Sequence, residues 1–258
     1  MIYLTYARGF KSGGYNYPAA TSQVLAPEIL DMVELGLKIQ SPGNRVQLNA
    51  ALYSYDYADL QVTRAPRDGS AGAITDNAAD AEILGVDIDL KWLATDRTQI
   101  TAGLNILETE YKDYDANAKV FNSTLTGNPF LPGMSDVLFD ASGESMLRAP
   151  DWSAFLSLQH DFSVGDGLIP VVVTYSYKDK YNFDFIADPL SKKLQQDGYG
   201  ILNAKISYIT PGESWKISVW GNNLTDEKYF DDLVANVAGI RGSWGAPRTY
   251  GIDVKFNF

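Results

Sequence analysis

The sequence predicts an all-β protein, an antiparallel transmembrane β-barrel with about ten strands. Three observations point to this class. Apolar and polar residues alternate along the segments between turns, short turns and long connections follow one another in strict order, and the last segment closes on Phe258. Free termini are usually exposed and polar, so an apolar ribbon that ends on an aromatic residue favours a strand facing lipid.

Period-two alternation marks the strands, because successive side chains of a strand point to opposite faces. No segment shows a convincing helical period. The clearest strand ranges are 33–39, 84–92, 100–106, 171–177, 202–208 and 250–258, and the weaker ones are 2–8, 45–62, 150–162 and 214–229. The side chains expected to face lipid are Leu84, Val86, Ile88, Leu90, Ile100, Leu104, Val171, Val173, Leu202, Ile206, Ile252, Val254 and Phe256.

The connections between these strands differ in length in a regular way. Tight turns are predicted by composition at 41–44, 95–97, 164–167 and 210–213, and long connections at 9–30, 64–78, 113–148, 182–198 and 231–247. Since the two kinds alternate, every long connection lies at one end of the sheet. Outer-membrane barrels have this arrangement, with short periplasmic turns and long extracellular loops.

Aromatic residues gather near the short turns, as expected of a girdle at a membrane interface. A simpler explanation stays open, because strands favour aromatic residues in any setting. The residues concerned are Trp92, Phe162, Tyr208, Trp215 and Phe258.

Composition excludes several classes of function. The net charge of −11 and a pI near 4.5 argue against a nucleic-acid partner, which needs clustered Lys and Arg. The chain has no cysteine, so it can form neither a disulfide nor a thiolate metal site. No apolar run approaches the ~20 residues of a membrane helix. No signal peptide follows Met1, which suggests either a cytoplasmic protein or the C-terminal piece of a longer one.

Candidate chemical sites are few, and the sequence predicts no catalytic residue, metal site or cofactor. His160 is the only histidine and precedes a short turn, so a structural role is expected. Acidic clusters occur at 76–82, 108–115 and 226–232. Their spacing is not that of a calcium loop, and solvated loop charge explains them better.

Several segments resemble the C-terminal barrel of TonB-dependent outer-membrane receptors. Near the start these are Tyr3–Asn16, Pro27–Glu28, Val33–Lys38 and Leu52–Gln61, and near the end they are Asn222–Tyr229 and Gly245–Gly251, followed by Phe258. The resemblance implies a bacterial outer-membrane barrel of about 22 strands, plugged by an N-terminal domain. Such receptors take up scarce nutrients, typically ferric siderophores, with energy passed from the inner membrane.

On this resemblance, residues 1–258 are the C-terminal portion of the barrel, without its signal peptide, plug or TonB-contacting segment. Strands from outside the chain must then pair with its first and last strands, since open edges in hydrocarbon are costly. The expected partners are outer-membrane lipid, the receptor's own plug and remaining strands, the TonB complex through the plug, and a small ligand such as an iron chelate.

Three groups of residues are candidates for function. The outer-membrane assembly signal comprises Tyr250, Ile252, Val254, Phe256 and Phe258. The residues expected to face the lumen and the plug are Asp87, Asp89, Lys91, Lys205, Lys216, Asp253 and Lys255. Aromatic and cationic residues of the long connections are candidates for an extracellular ligand mouth, and packing within the loops explains them about as well. They are Tyr15, Tyr17, Phe121, Phe130, Phe183, Arg241 and Trp244.

Two alternatives stay open at this point. A soluble β-sandwich that binds carbohydrate would also use alternating strands, although it rarely orders its loop lengths so strictly. A self-contained outer-membrane barrel of about ten strands could be a hydrolase, but no histidine lies near the long loops to act as a general base. A transport receptor, not an enzyme, is therefore expected. Siderophore, heme, cobalamin and oligosaccharide all remain possible as its ligand.

Overall fold

Strands and short turns make up most of the structure, a computed structural model that describes residues 1–15, 24–64, 74–122, 133–187, 191–236 and 239–257. Short 3-10 turns occupy Pro42–Asn44, Ser191–Leu194 and Pro211–Glu213. In these ranges there is no helix long and apolar enough to cross a membrane. The strands are β1 (Ile2–Lys11), β2 (Gly14–Tyr15), β3 (Val24–Leu25), β4 (Glu28–Gln40), β5 (Val46–Arg64), β6 (Ile74–Thr95), β7 (Thr98–Asn122), β8 (Gly133–Asp140), β9 (Trp152–Val164), β10 (Gly167–Lys178), β11 (Tyr181–Asn182), β12 (Gln195–Gln196), β13 (Tyr199–Ile209), β14 (Trp215–Asn222), β15 (Phe230–Asn236), β16 (Gly239–Trp244) and β17 (Thr249–Phe256).

One antiparallel sheet contains the principal strands, in the order β1-β4-β5-β6-β7-β9-β10-β13-β14-β17, and β8 pairs with the far part of β7. The pairs β2–β3, β11–β12 and β15–β16 form small hairpins inside the long connections. The predicted up-and-down sheet is therefore confirmed. In the described ranges, β1 pairs only with β4 and β17 only with β14, so these strands do not close into a small barrel of their own.

The short turns at one end of the sheet have the predicted composition, and the two that follow β4 and β13 share a geometry. Gly43 and Gly212 adopt φ values of 77° and 71°, which glycine reaches without strain. The hydroxyls of Ser41 and Thr210 each accept a bond from the backbone N–H that opens the next strand, at 2.9 Å and 3.0 Å. We call this edge of the sheet the short-turn end and the opposite edge the long-loop end.

Two strands are longer than the sequence predicts. β6 and β7 have 22 and 25 residues, whereas ~9–11 suffice to cross a bilayer, and β5, with 19 residues, is close to the predicted range 45–62. Parts of the predicted connections 64–78 and 113–148 are therefore strand. Alanine and charged residues replace the strong apolar alternation in these extensions, so their strand pattern is weak.

Two hydrophobic clusters lie at the long-loop end. Phe185 belongs to the first and Phe183 to the second, although they are two residues apart. Cluster A contains the buried residues Ala79, Ala81, Tyr111, Tyr114, Ala116, Ala118, Ala141 and Phe185, and cluster B contains Phe183, Leu194, Leu233 and Ala235. The buried core of the described residues thus sits among the strand extensions and connections rather than on the main sheet.

Candidate functional site

One face of the main sheet is apolar and exposed across its whole width. The register aligns Leu52 with Val86 and Val86 with Ile106 on this apolar face. All the side chains expected to face lipid lie on it, and Ile206 and Ile252 are 53% and 71% exposed. No second sheet covers this face within the described ranges, so the soluble sandwich is excluded.

The apolar face ends abruptly in a row of charged residues. Asp31, Asp56, Glu82 and Glu110 pair in register across β4, β5, β6 and β7. The apolar stretch of β6 consequently runs from Leu84 to Trp92, close to the ~9–11 residues that cross a bilayer. The height of the apolar face therefore matches the hydrocarbon thickness of a membrane.

Aromatic residues border the other limit of the apolar face, beside the short turns. Trp92, Phe162 and Trp215 are 42%, 50% and 44% exposed there. The rings of Trp215 and Phe256 lie 4.6 Å apart, on neighbouring strands. The amphipathic indole rings of Trp92 and Trp215 suit a membrane interface at this level. Phe258, the last member of the predicted girdle and of the assembly signal, lies outside the described residues, and the other four assembly residues are on the apolar face of β17.

The opposite, polar face collects the charged residues that the resemblance assigns to the lumen. The register places all seven of them on this face. Lys205 Nζ lies 3.0 Å from Asp253 Oδ2, and the Trp220 indole N–H donates to the same carboxylate at 3.2 Å. Asp87 accepts a bond of 2.6 Å from Asn105 Nδ2. These carboxylates are thus held by neighbouring strands.

Aromatic side chains cover glycines on the polar face, an arrangement that sequence reasoning missed. A Cβ added at Gly85 would lie 2.2 Å from the Tyr53 ring, and one at Gly103 would lie 2.3 Å from the Phe155 ring. Tyr53 also accepts a bond of 3.3 Å from Asn105. The signal in the sequence is a glycine at a polar-face position beside an aromatic residue of the next strand, but the register has to be known to find it.

An open cavity of about 520 Å³ lies on the polar face, toward the long-loop end of β10 and β13. Its wall combines charged and aromatic groups, and the rings of Tyr199 and Tyr229 stack there with centroids 4.3 Å apart. Besides the predicted Asp87 and Asp89, the lining includes Asn105, Phe155, Lys178, Tyr199 and Tyr229, which the sequence did not single out. A cavity with aromatic walls and a few charged groups can hold a small polar molecule.

The residues expected at the ligand mouth are in different settings. Tyr15 and Trp244 are 73% and 64% exposed, and Arg241 is also exposed. Phe183 is only 6% exposed because it packs inside cluster B, so the expectation that it faces a ligand is corrected. Tyr17 and Phe130 lie outside the described residues, and for Phe121 only the backbone, in β7, is described.

His160 lies on the apolar face near the short turns. Its Nδ1 is 2.8 Å from Thr98 Oγ1, and its ring meets Phe162 edge-on at 4.3 Å. In the described part of the chain, no three acidic, His or Cys side chains are placed to hold a metal ion.

Comparisons with known proteins identify the barrel. Residues 1–224 match the family model described as TonB dependent receptor-like, beta-barrel. The chain is 26% identical to the ferric-pyoverdine 358 receptor of Pseudomonas putida over 266 residues, which is 100% of this chain and 27% of that protein. The chain therefore spans about a quarter of the length of this curated relative.

Solved structures show the same fold. The ferric yersiniabactin uptake receptor of Yersinia pestis superposes with a TM-score of 0.76 at 20% identity, over 100% of this chain and 35% of that protein. The ferric-catecholate import receptor of E. coli K12 gives 0.69 at 20% identity, over 98% and 32%. The apolar and polar faces are thus the two sides of a barrel wall, and the apolar side suits contact with lipid. This chain belongs to the family of TonB-dependent outer-membrane receptors, which are transporters and not enzymes, and forms part of their β-barrel.

Proposed function

We propose that the chain is the C-terminal portion of an outer-membrane receptor that takes up a ferric siderophore or a similar iron complex, with energy supplied through TonB. The observation that carries the proposal is the match over the full length of the chain to receptors named for ferric pyoverdine and ferric yersiniabactin. The signal peptide, the plug and the other barrel strands would come from the rest of the receptor.

The polar face supports the proposed plug contact. Asp253 is paired with Lys205, but both side chains remain about half exposed, as do those of other charged groups on this face. Lys216 and Lys255 stand opposite each other in register near the short turns. A polar domain inside the barrel would find both hydrogen-bond donors and acceptors along this wall. We assign these residues of the wall to the contact with the plug.

The cavity supports the proposed ligand. Lys178 and the stacked pair Tyr199 and Tyr229 line it at the end of the barrel wall that carries the long loops. Iron chelates are commonly anionic and often aromatic, so a cation beside tyrosine rings offers them charge pairing and stacking. Of the predicted mouth residues, the exposed Tyr15, Arg241 and Trp244 could extend this surface outward.

Uptake of ⁵⁵Fe-loaded siderophores by cells that carry the complete receptor tests the proposal. We expect saturable uptake of at least one ferric siderophore, lost in cells without TonB. Lys178→Gln should weaken binding of an anionic complex, while the matched control Lys38→Gln, on the same face near the short turns, should not. Uptake of heme, cobalamin or oligosaccharide but of no ferric siderophore would contradict the proposed ligand class.

A further inference from the structure

The segment 181–187, which we call the strap, joins two hydrophobic clusters through residues two positions apart. Phe183 is 6% exposed and packs in cluster B with Leu194 and Leu233. Phe185 is 5% exposed and packs in cluster A. Cluster A is built on the extensions of β6 and β7 together with β8, and cluster B on the β15–β16 hairpin. The strap therefore touches two parts of the long-loop end that are far apart in the chain.

Phe185 is held in cluster A by aromatic contacts on three sides. Its ring centroid lies 5.9 Å from that of Tyr111, 5.8 Å from that of Tyr114 and 5.5 Å from that of Phe139. Tyr111 and Tyr114 lie on β7, and Phe139 lies on β8 opposite Ala116. Phe185 thus fixes the strap to the paired β7 and β8.

Cluster B is held by backbone bonds as well as by packing. The Phe183 N–H donates to Leu194 O at 2.7 Å, which closes the β11–β12 hairpin. The Phe230 N–H donates to the buried side chain of Gln196 at 2.7 Å and so connects β12 to β15. The strap, β12 and the β15–β16 hairpin therefore form one bonded group.

Arg148 adds a third connection, from the segment before β9. Its N–H donates to Asn182 O at 2.8 Å, its guanidinium lies 5.0 Å from the Phe183 ring, and it forms an ion pair with Asp232 of β15. Its φ of 61° is unusual for a residue other than glycine. One side chain thus meets both the strap and the hairpin.

We propose that the strap couples the paired β7 and β8 to the β15–β16 hairpin, so that these parts of the long-loop end open and close as a single unit. Phe183 and Phe185 place this one segment in both clusters, and Arg148, whose neighbour Leu147 packs against cluster A, adds a parallel connection through its ion pair with Asp232. The inference follows from packing alone and does not depend on the identity of the ligand.

Hydrogen–deuterium exchange of the complete receptor in detergent tests the coupling, since exchange reports local opening. Phe183→Ala removes a contact of cluster B. We expect exchange about ten-fold faster not only in residues 230–236 but also in 111–118 and 137–140, which Phe183 does not touch. Phe185→Ala should likewise raise exchange in residues 230–236.

Leu138→Ala is the matched control, because Leu138 lies on β8 but is 64% exposed and outside both clusters. It should leave exchange in both regions unchanged. Folding of each variant is checked by heat-modifiable migration, and Phe183→Leu and Phe185→Leu replace the alanine variants if those fail to fold. Faster exchange confined to the region that each phenylalanine touches would overturn the proposal.

Discussion

Val86 and Asp87 are neighbours in β6 and lie on opposite faces of the barrel wall. Val86 stands between Leu52 and Ile106 on the apolar face, and Asp87 accepts the bond from Asn105 on the polar face. Val86→Arg should therefore destabilise the barrel in a bilayer by ~2–4 kcal/mol, because of the two side chains only that of Val86 meets hydrocarbon. Asp87→Asn should cost much less.

Folding titrations of the complete receptor into liposomes measure both free energies. Ile206→Arg is an independent probe of the same face, since Ile206 is 53% exposed beside Val219. Penalties of similar size for Val86→Arg and Asp87→Arg would contradict the assignment of the two faces.

The contact of Trp215 with Phe256 predicts a stabilising role at the membrane interface. Phe256→Ala should lower folding stability by roughly 1.5–3 kcal/mol, because a large apolar ring leaves its contacts with lipid and with Trp215. Phe256→Tyr should cost less, since tyrosine suits the interface. The same folding titration measures both, and an unchanged stability in Phe256→Ala would show that the ring has no such role.

Because Tyr53 lies close to Gly85, we expect substitutions at these two positions to have non-additive effects on stability. Gly85→Ala should destabilise the barrel by about 1–3 kcal/mol, because the new Cβ would collide with the Tyr53 ring, which is 8% exposed. In the double variant with Tyr53→Ala, the second substitution should relieve that collision. A double-mutant cycle measures the coupling, and additive free energies would contradict the proposed contact.

Because Tyr111 is buried in cluster A, we expect this cluster to lose stability at alkaline pH. Burial raises the pKa of this tyrosine, while a bond from the Leu147 backbone opposes the rise. The folded state therefore favours the neutral phenol of Tyr111. Its contribution to the folding stability is fully present below the ordinary tyrosine pKa of ~10. That contribution is lost as the pH rises through the higher pKa of the folded state. Near-ultraviolet circular dichroism should show loss of aromatic packing above that pH.

Tyr111→Phe should shift this loss to higher pH, since phenylalanine cannot ionise. Tyr15→Phe, at a residue that is 73% exposed, is the control and should leave the profile unchanged. An identical alkaline transition in wild type and Tyr111→Phe would show that other groups cause it.

Much of the fold can be predicted from local patterns. Leu84, Val86 and Ile88 alternate with glycine and aspartate because one face of the strand suits lipid and the other suits a polar environment. Turns such as Ser41-Pro-Gly-Asn44 are predictable because their residues suit the required backbone angles. Register then follows, since a shift by one residue would turn charged groups toward lipid.

The long-loop end was less predictable, because its structure depends on contacts between distant segments. Phe183 lies in a predicted loop, so the sequence indicates an exposed aromatic residue. Its packing partners Leu194 and Leu233 are 11 and 50 residues away along the chain. Lys178, Tyr199 and Tyr229 meet at one cavity only through the pairing of β10 with β13 and the stacking of two tyrosines. No local pattern encodes such meetings.

The orientation of the barrel wall is tested most directly by spin-label accessibility along β6. The chain has no cysteine, so single cysteines at positions 84–91 label specific sites within it. In liposomes, labels at 84, 86, 88 and 90 should be accessible to oxygen dissolved in lipid, and labels at 85, 87, 89 and 91 should be protected from it. Loss of this two-residue period, or oxygen access at the positions of Asp87 and Asp89, would contradict the assignment of the two faces of β6 to lipid and lumen.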